Sequence, residues 1–293
     1  MNCTNTADPP LLHVNTLIID LTAKDVRIVP GVSKDPANPL VSVPVMAASN
    51  SDRNFIAGIN GGYFWRTDIS GYWIDDVCRG KLRKDAEQPA EMGEPNYGIH
   101  DGAVVIDGKV VGSNCDCWGF SRPALAANMN ASSETGWSIN VLERGQQGSP
   151  SVVNGLAAGP NLVSYTTNED GSFTSFVDIP SDDDNININE HAANTGFGLI
   201  YDTASGKAVK MVLVTTDGSD ECGRLDASCG INARHLAQLM IDRFDVQQAM
   251  SMDQGGSTTM WVKGAASASG DGVVSYSGGG ARNVANGLFV ELV

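Results

Sequence analysis

The feature that most constrains the fold of this 293-residue chain is a succession of short apolar runs, each closed by glycine or a polar turn residue. The Asp107-Gly108 pair between residues 103–106 and 109–111 predicts a two-residue β-hairpin. Residues 198–201 and 209–215 predict a second hairpin, and 14–21 with 26–29 resemble a third pair. Strands are also expected at 249–252, 258–262 and 287–293. The chain is therefore expected to consist mainly of strands and turns.

One segment has the spacing of an amphipathic helix. Residues 233–244 follow Asn232, a favourable N-cap, and their apolar positions recur three and four residues apart at Leu236, Leu239, Met240 and Phe244. No long linker divides the chain, which favours a single domain over residues 1–293.

The charge balance excludes some partners. With 34 acidic and 19 basic side chains the net charge is −15, so the clustered basic surface of a nucleic-acid-binding protein is not expected. No run approaches the ~18–20 apolar residues of a membrane-spanning helix. The first residues lack a basic and apolar leader, as in a mature secreted chain.

Cysteine usage also favours the secretory pathway. The six cysteines form no CxxC pair, and we expect disulfides. Cys222 and Cys229 are expected to pair because turn-forming residues separate them. Sequons at Asn2 and Asn130 are compatible with a glycoprotein, and we expect the protein to be secreted or to lie in the lumen of the secretory pathway.

Two polar stretches, 84–97 and 180–190, are expected to be mobile surface. The second contains Asp182, Asp183 and Asp184, but it lacks the glycine and terminal Glu of a calcium-binding EF-hand loop. A solvated acidic loop is the preferred interpretation. No cofactor is expected, although a structural calcium ion stays open.

Four segments place glycine beside polar side chains at expected strand ends. Carboxylates next to glycine backbone are well placed to bind a polar substrate. The candidate residues are Asn60, Gly61, Gly62, Tyr63, Thr216, Asp217, Asp253, Gly255, Gly256, Ser257, Thr258 and Arg282.

Five segments, in order, resemble motifs of the phosphodiester glycosidase family: AGINGGYF (57–64), LAAGPNLV (156–163), VKMVLVTTDG (209–218), MSMDQGGSTTM (250–260) and GGARNVANGLFV (279–290). The resemblance covers most of the chain from about residue 50. It implies a single α+β domain with a twisted mixed β-sheet core, few helices and many loops. The site is then expected at the ends of sheet strands.

The resemblance implies a secreted glycosidase that cleaves the sugar C1–O bond of a sugar-1-phosphodiester or related glycan. We assign Asp253 as the carboxylate facing the oxocarbenium-like carbon, with Asp217 second. Asn60, Ser257 and Thr258 are expected to hold sugar hydroxyls, and Arg282 is expected to hold the anionic leaving group.

Two positions depart from the family pattern. Gln254 replaces one glycine of an Asp-Gly-Gly-Gly-Ser turn, and Asn194 stands where an Arg precedes Thr195. Two alternatives stay open, and the first of them tolerates the loss of that bidentate donor. One is a hydrolase or lyase acting on a phosphate-free polysaccharide. The other is a non-catalytic carbohydrate-binding module, favoured if Asp217 and Asp253 occupy separate exposed turns.

Overall fold

The structure is a computed structural model that describes residues 12–64, 100, 102–111, 122–128, 136–142, 152–179, 188–189, 191–218, 229–267, 270–276 and 281–293. Its helices are α1 (Val43–Ser49), α2 (Ala233–Phe244) and a 3-10 turn at Gly255–Ser257. Its strands are β1 (Val14–Asp20), β2 (Val26–Val32), β3 (Phe55–Asn60), β4 (Val104–Ile106), β5 (Lys109–Val110), β6 (Arg122–Asn128), β7 (Trp137–Leu142), β8 (Val152–Ala157), β9 (Asn161–Thr167), β10 (Phe173–Val177), β11 (Asn194–Asp202), β12 (Lys207–Thr216), β13 (Gln248–Ser251), β14 (Thr259–Val262), β15 (Val273–Tyr276) and β16 (Asn286–Leu292).

The described strands form three sheets. Sheet A has the order β1-β12-β11-β13-β9-β10, sheet B the order β15-β14-β3-β16-β2, and sheet C the order β5-β4-β8-β6-β7. The expected α+β class is confirmed. The family resemblance implied a mixed sheet, but every pairing between described strands is antiparallel.

The main apolar core lies between the three sheets. It contains Phe197 and Leu213 from sheet A, Ile59 and Leu288 from sheet B, and Leu156 from sheet C. Side chains alternate across a strand, so the residues next to these core residues point away from the main core. In sheets A and B this second face is also buried. Helix α2 covers that face of sheet A, and α1 covers that face of sheet B.

Helix α2 confirms the sequence prediction at both ends. The side chain of Asn232 accepts a hydrogen bond from the backbone N–H of His235 at 2.9 Å, and Leu236 and Met240 are fully buried. A Cβ on Gly198 of β11 would lie 2.9 Å from Met240 Cε, so glycine at this position lets the helix pack closely against sheet A.

Two hairpin predictions are confirmed and one pairing is wrong. Asp107 and Gly108 adopt positive φ angles of 49° and 75° between β4 and β5, and β11 pairs with β12. The segments 14–21 and 26–29 are strands, but they do not pair. β1 joins β12 in sheet A, whereas β2 joins β16 in sheet B.

Several predictions fall wholly or mostly outside the described residues: the surface segments 84–97 and 180–190, the acidic run at 182–184, the two sequons, and Cys222. Cys229 is buried and is not a free thiol, but its pairing with Cys222 stays a prediction. In the part of the chain that the structure describes, no helix is long and apolar enough to cross a membrane.

Candidate functional site

Sheets A and B meet at the backbone of Asp253. This residue follows the end of β13, and its N–H donates to the carbonyl of Gly61 at 2.9 Å. Its own carbonyl accepts from Asn60 Nδ2 at 2.7 Å. Asn60 and Gly61, at the end of β3, therefore hold the Asp253 peptide from both sides.

The Asn60 side chain links two further elements, β11 and β14. Its Oδ1 accepts from the hydroxyl of Thr195 on β11 at 2.7 Å and from the N–H of Thr259 on β14 at 3.0 Å. Asn60 is fully buried, so its amide is directed into the protein. In this structure the residue positions Asp253, and its side chain does not line a surface that a sugar could reach.

The Asp253 side chain belongs to a compact polar group that we call the Asp253 cluster: Asp253, Ser257 and Arg282. The hydroxyl of Ser257 donates to Asp253 Oδ2 and accepts from Arg282 Nη2. Arg282 Nη2 also lies 3.6 Å from Asp253 Oδ2. Ser257 is fully buried, whereas the side chains of Asp253 and Arg282 are 13% and 29% exposed. A carboxylate and a guanidinium are thus accessible at one place.

The short turn after Asp253 packs against Arg282. Gly255 has a φ of +62°, and its N–H donates to the carbonyl of Ala193 at 2.8 Å. A Cβ on Gly256 would lie 2.9 Å from Arg282 Nη1 and 3.2 Å from Cζ, so the guanidinium packs on bare backbone. Burial lowers the pKa of Arg282, while the charge of Asp253 acts in the opposite direction. A guanidinium nevertheless stays protonated in proteins.

A second buried amide supports the neighbouring glycines. Asn286 Oδ1 accepts from the N–H of Gly62 at 2.7 Å, and a Cβ on Gly61 would lie only 1.9 Å from that oxygen. Asn286 Nδ2 lies 2.8 Å from His100 Nδ1. Since Nδ2 can only donate, this ring nitrogen accepts and the imidazole is neutral. Burial lowers the pKa of His100 to about 4, which agrees with that state.

Asp217 leaves the same edge of sheet A as Asp253. β12 and β13 lie on either side of β11, so their ends are about two strand spacings, or ~10 Å, apart. Asp217 accepts from the Ser275 hydroxyl at 2.5 Å, and its other oxygen lies 3.8 Å from His13 Nδ1. Its side chain is 27% exposed. This carboxylate therefore has different neighbours from those of Asp253.

The other predicted site residues lie near these elements. Thr216 is buried, and its hydroxyl accepts from the backbone N–H of Asn194 at 3.1 Å. The Tyr63 hydroxyl donates to the carbonyl of Gly159 at 3.1 Å. Thr258 is buried, and its hydroxyl has no hydrogen-bond partner among the described residues. Thr216 and Thr258 are thus directed inward, like Asn60.

Three residues that support the site were not expected from the sequence: His100, Thr195 and Asn286. Asn286 lies within the 279–290 motif, which was the available signal, whereas His100 lies outside all five motifs. Among the described residues no group of three or more His, Cys, Asp or Glu side chains is arranged to hold a metal ion.

Comparison with known proteins defines the family. The sequence matches the phosphodiester glycosidase family over residues 53–291, and the chain belongs to that family. Comparison with curated proteins finds no match.

Two solved structures support the fold. One is the catalytic domain of zebrafish N-acetylglucosamine-1-phosphodiester alpha-N-acetylglucosaminidase, auto-inhibited by pro-peptide. It has 17% identity and a TM-score of 0.53, and the match covers 97% of this chain and 84% of that one. The other is a hypothetical protein from Synechocystis, with 13% identity, a TM-score of 0.52, and coverage of 97% of this chain and 60% of that chain. At these identities the likeness concerns the fold.

Proposed function

We propose that the protein is a secreted glycosidase that hydrolyses the C1–O bond of a sugar-1-phosphodiester. The observation that carries this proposal is the proximity of opposite charges in the Asp253 cluster, where Arg282 Nη2 lies 3.6 Å from Asp253 Oδ2. The substrate makes opposite demands on adjacent atoms: a cationic centre develops at C1 while the phosphate beside it keeps negative charge. A carboxylate beside a guanidinium can stabilise both charges, because the carboxylate can face the cationic C1 while the guanidinium binds the phosphate.

The reaction divides between the two side chains. The C1–O bond breaks, the oxygen leaves with the phosphate as a phosphomonoester, and water supplies the new hydroxyl at C1 and releases a proton. Asp253 stabilises the oxocarbenium-like carbon or orients the water. Arg282 donates charge-assisted hydrogen bonds to the phosphate. A phosphomonoester is a good leaving group, so a strong general acid is less necessary than for an ordinary glycoside.

Asp253 is preferred over Asp217 as the catalytic carboxylate because of its surroundings. Its backbone is held by Asn60 and Gly61, so a precise position can be maintained through the reaction. Asp217 contacts Ser275 and His13 rather than the guanidinium of Arg282. We assign Asp217 an orienting role.

One observation supports a phosphate-free polysaccharide as the second candidate substrate. Asn194, which stands where the family resemblance places an Arg, is fully buried. Its Nδ2 donates to the carbonyls of Ala192 and Ile231 at 3.1 and 2.6 Å. A side chain engaged in this way supplies no donor to a phosphate.

The decisive test locates the bond that breaks. The protein is incubated in ¹⁸O-labelled water with the methyl phosphodiester of N-acetylglucosamine-1-phosphate, a sugar suggested by the name of the zebrafish enzyme. The proposal expects ¹⁸O at C1 of the released sugar. Label in the phosphate instead would mean P–O cleavage and would reject the proposal.

Two controls complete this test. A panel of neutral polysaccharides is incubated in parallel, and products from these alone would favour the second candidate. Products from neither substrate would favour a non-catalytic carbohydrate-binding module. Asp253→Asn should remove the activity. Ser164→Ala, which deletes a hydroxyl bonded to the remote Asp178, should keep it.

A further inference from the structure

Ser257 occupies the centre of the Asp253 cluster. Its single proton is donated to Asp253, and its lone pair accepts from Arg282. The residue is fully buried, so this hydroxyl has no surface through which to hold a sugar. Its geometry is that of a link between the carboxylate and the guanidinium.

Before substrate binds, the negative charge of the Asp253 carboxylate is already offset by its neighbours. Asp253 Oδ2 receives a hydrogen bond from Ser257 and lies beside the positive charge of Arg282. Both contacts stabilise the anion and reduce its ability to stabilise a neighbouring positive charge. The resting cluster is therefore poorly prepared to support an oxocarbenium-like transition state.

We propose that a substrate phosphate draws Arg282 away from Ser257 and Asp253, so that the phosphate group of the substrate itself activates the catalytic carboxylate. This inference rests on the proposed function and adds a source of specificity to it. A neutral glycan has no anion to compete for the guanidinium, so it leaves Asp253 neutralised. Ser257 is a positioning residue in this scheme, and it couples the two charged groups.

Arg282 is accessible to an anion, as the scheme requires. Its side chain is 29% exposed, and it packs on the bare backbone of Gly256, with no side chain at that position to fix it. Its Nε is buried and has no hydrogen-bond partner among the described residues. Movement toward an anion would give that donor an acceptor, in the bidentate geometry that guanidinium and phosphate favour.

The other titratable groups around the described part of the site are few. β12 leads to Asp217, about two strand spacings from Asp253, and an Asp217 carboxylate oxygen lies 3.8 Å from Nδ1 of His13, in the segment before β1. Behind the Gly61–Gly62 turn lies the neutral His100. β11 begins with Asn194 and Thr195, which carry no charge. Among the described residues, Arg282 is the cation that lies next to the Asp253 carboxylate.

The test measures the ionisation of Asp253 without turnover. Protein labelled with ¹³C at the aspartate carboxyl carbons is titrated by NMR, and the Asp253 signal is identified by its loss in Asp253→Asn. Inorganic phosphate should raise the apparent pKa of Asp253 by roughly one unit, since a departing cation and an arriving anion both favour the protonated carboxyl. Arg282→Gln should abolish this phosphate-dependent shift, and Ser257→Ala should reduce it by at least half.

Matched variants control for indirect effects. Ser164→Ala removes a comparable Ser–Asp hydrogen bond far from the site, and Arg53→Gln removes an Arg that pairs with Asp107 and Glu291. Both should keep the full phosphate-dependent shift.

The outcomes separate this inference from the proposed function. An Asp253 signal that phosphate leaves unchanged in the wild type, or a full shift in Ser257→Ala, overturns the coupling even if the phosphodiester is hydrolysed. A shift that depends on Arg282 and Ser257 upholds the coupling even if hydrolysis fails, and in that case only the proposed reaction is lost.

Discussion

Replacing Asn60 by alanine should be among the most damaging single changes outside the apolar core. The side chain is fully buried and serves three partners: the Thr195 hydroxyl, the Thr259 N–H and the Asp253 carbonyl. Asn60→Ala leaves all three without their bond in a region closed to water. An unsatisfied buried polar group costs about 1–3 kcal/mol, and partial relaxation reduces the sum, so we expect a loss of about 3–5 kcal/mol.

Urea unfolding followed by circular dichroism measures this loss directly. Since a domain of ordinary stability has about 5–15 kcal/mol in total, the midpoint should fall sharply at an unchanged slope. Thr195→Val gives an intermediate case because it removes one donor while Thr259 still serves Asn60 Oδ1. It should cost about 1 kcal/mol.

The control is another asparagine with side-chain hydrogen bonds. Asn168 bonds Ser172 and Thr174 in an exposed turn, so Asn168→Ala should change stability by no more than about 0.5 kcal/mol. If Asn60→Ala cost no more than Asn168→Ala, Asn60 would not be the joint between sheets A and B that its contacts indicate.

Four further outcomes are expected. Asp253→Asn should abolish turnover with an unchanged circular dichroism spectrum, because it removes a charge worth several kcal/mol in the transition state, and Asp217→Asn should reduce kcat less. Arg282→Gln should lower kcat/KM on a sugar-1-phosphodiester by about 100-fold or more, yet leave or raise that on a neutral aryl glycoside; equal losses on both would make Arg282 structural. Gly256→Ala should reproduce this selective loss, since its Cβ would displace the guanidinium. Burial lowers the pKa of His100 from 6.5 to about 4, so between these pH values the unfolded chain binds a proton at this side chain and the folded chain does not. About 3 kcal/mol of stability should therefore be lost as pH falls through that interval, and urea unfolding of His100→Gln should show a smaller loss.

Local signals in the sequence were sufficient for several elements. The helix at 233–244 follows from apolar spacing and the Asn232 cap, both of which act within a few residues. The Asp107-Gly108 hairpin likewise depends on a two-residue turn with positive φ angles.

Partner choice across the chain was not available from such signals. β1 and β2 are adjacent in sequence and have apolar patterns that fit a hairpin, yet each pairs with a strand from the second half of the chain. Strand patterns indicate which face is buried but carry little information about which distant strand supplies the neighbour.

The candidate site, like the fold, was predictable from the sequence only in part. Asp253, Ser257 and Arg282 are visible in the glycine-rich motifs, and the structure brings them together. The orientation of Asn60 was not predictable, because a polar amide at a strand end is equally suited to bind a ligand or to join two sheets. Its partner Thr195 lies 135 residues away.

The substitution at position 194 and the geometry of the Asp253 cluster bear on each other. Where a second guanidinium accompanies the site, one Arg can hold the phosphate while another stays with the carboxylate. Here Asn194 is bonded to two backbone carbonyls, so of the described residues it is Arg282 that would serve both groups if the proposed phosphodiester binds. Because one guanidinium cannot fully satisfy Asp253 and a phosphate at once, binding the substrate must weaken its hold on the carboxylate. The presence of Asn194 in place of an Arg therefore has two consequences. It removes one donor to a phosphate, and, if a phosphodiester binds, it strengthens the coupling between the phosphate and Asp253.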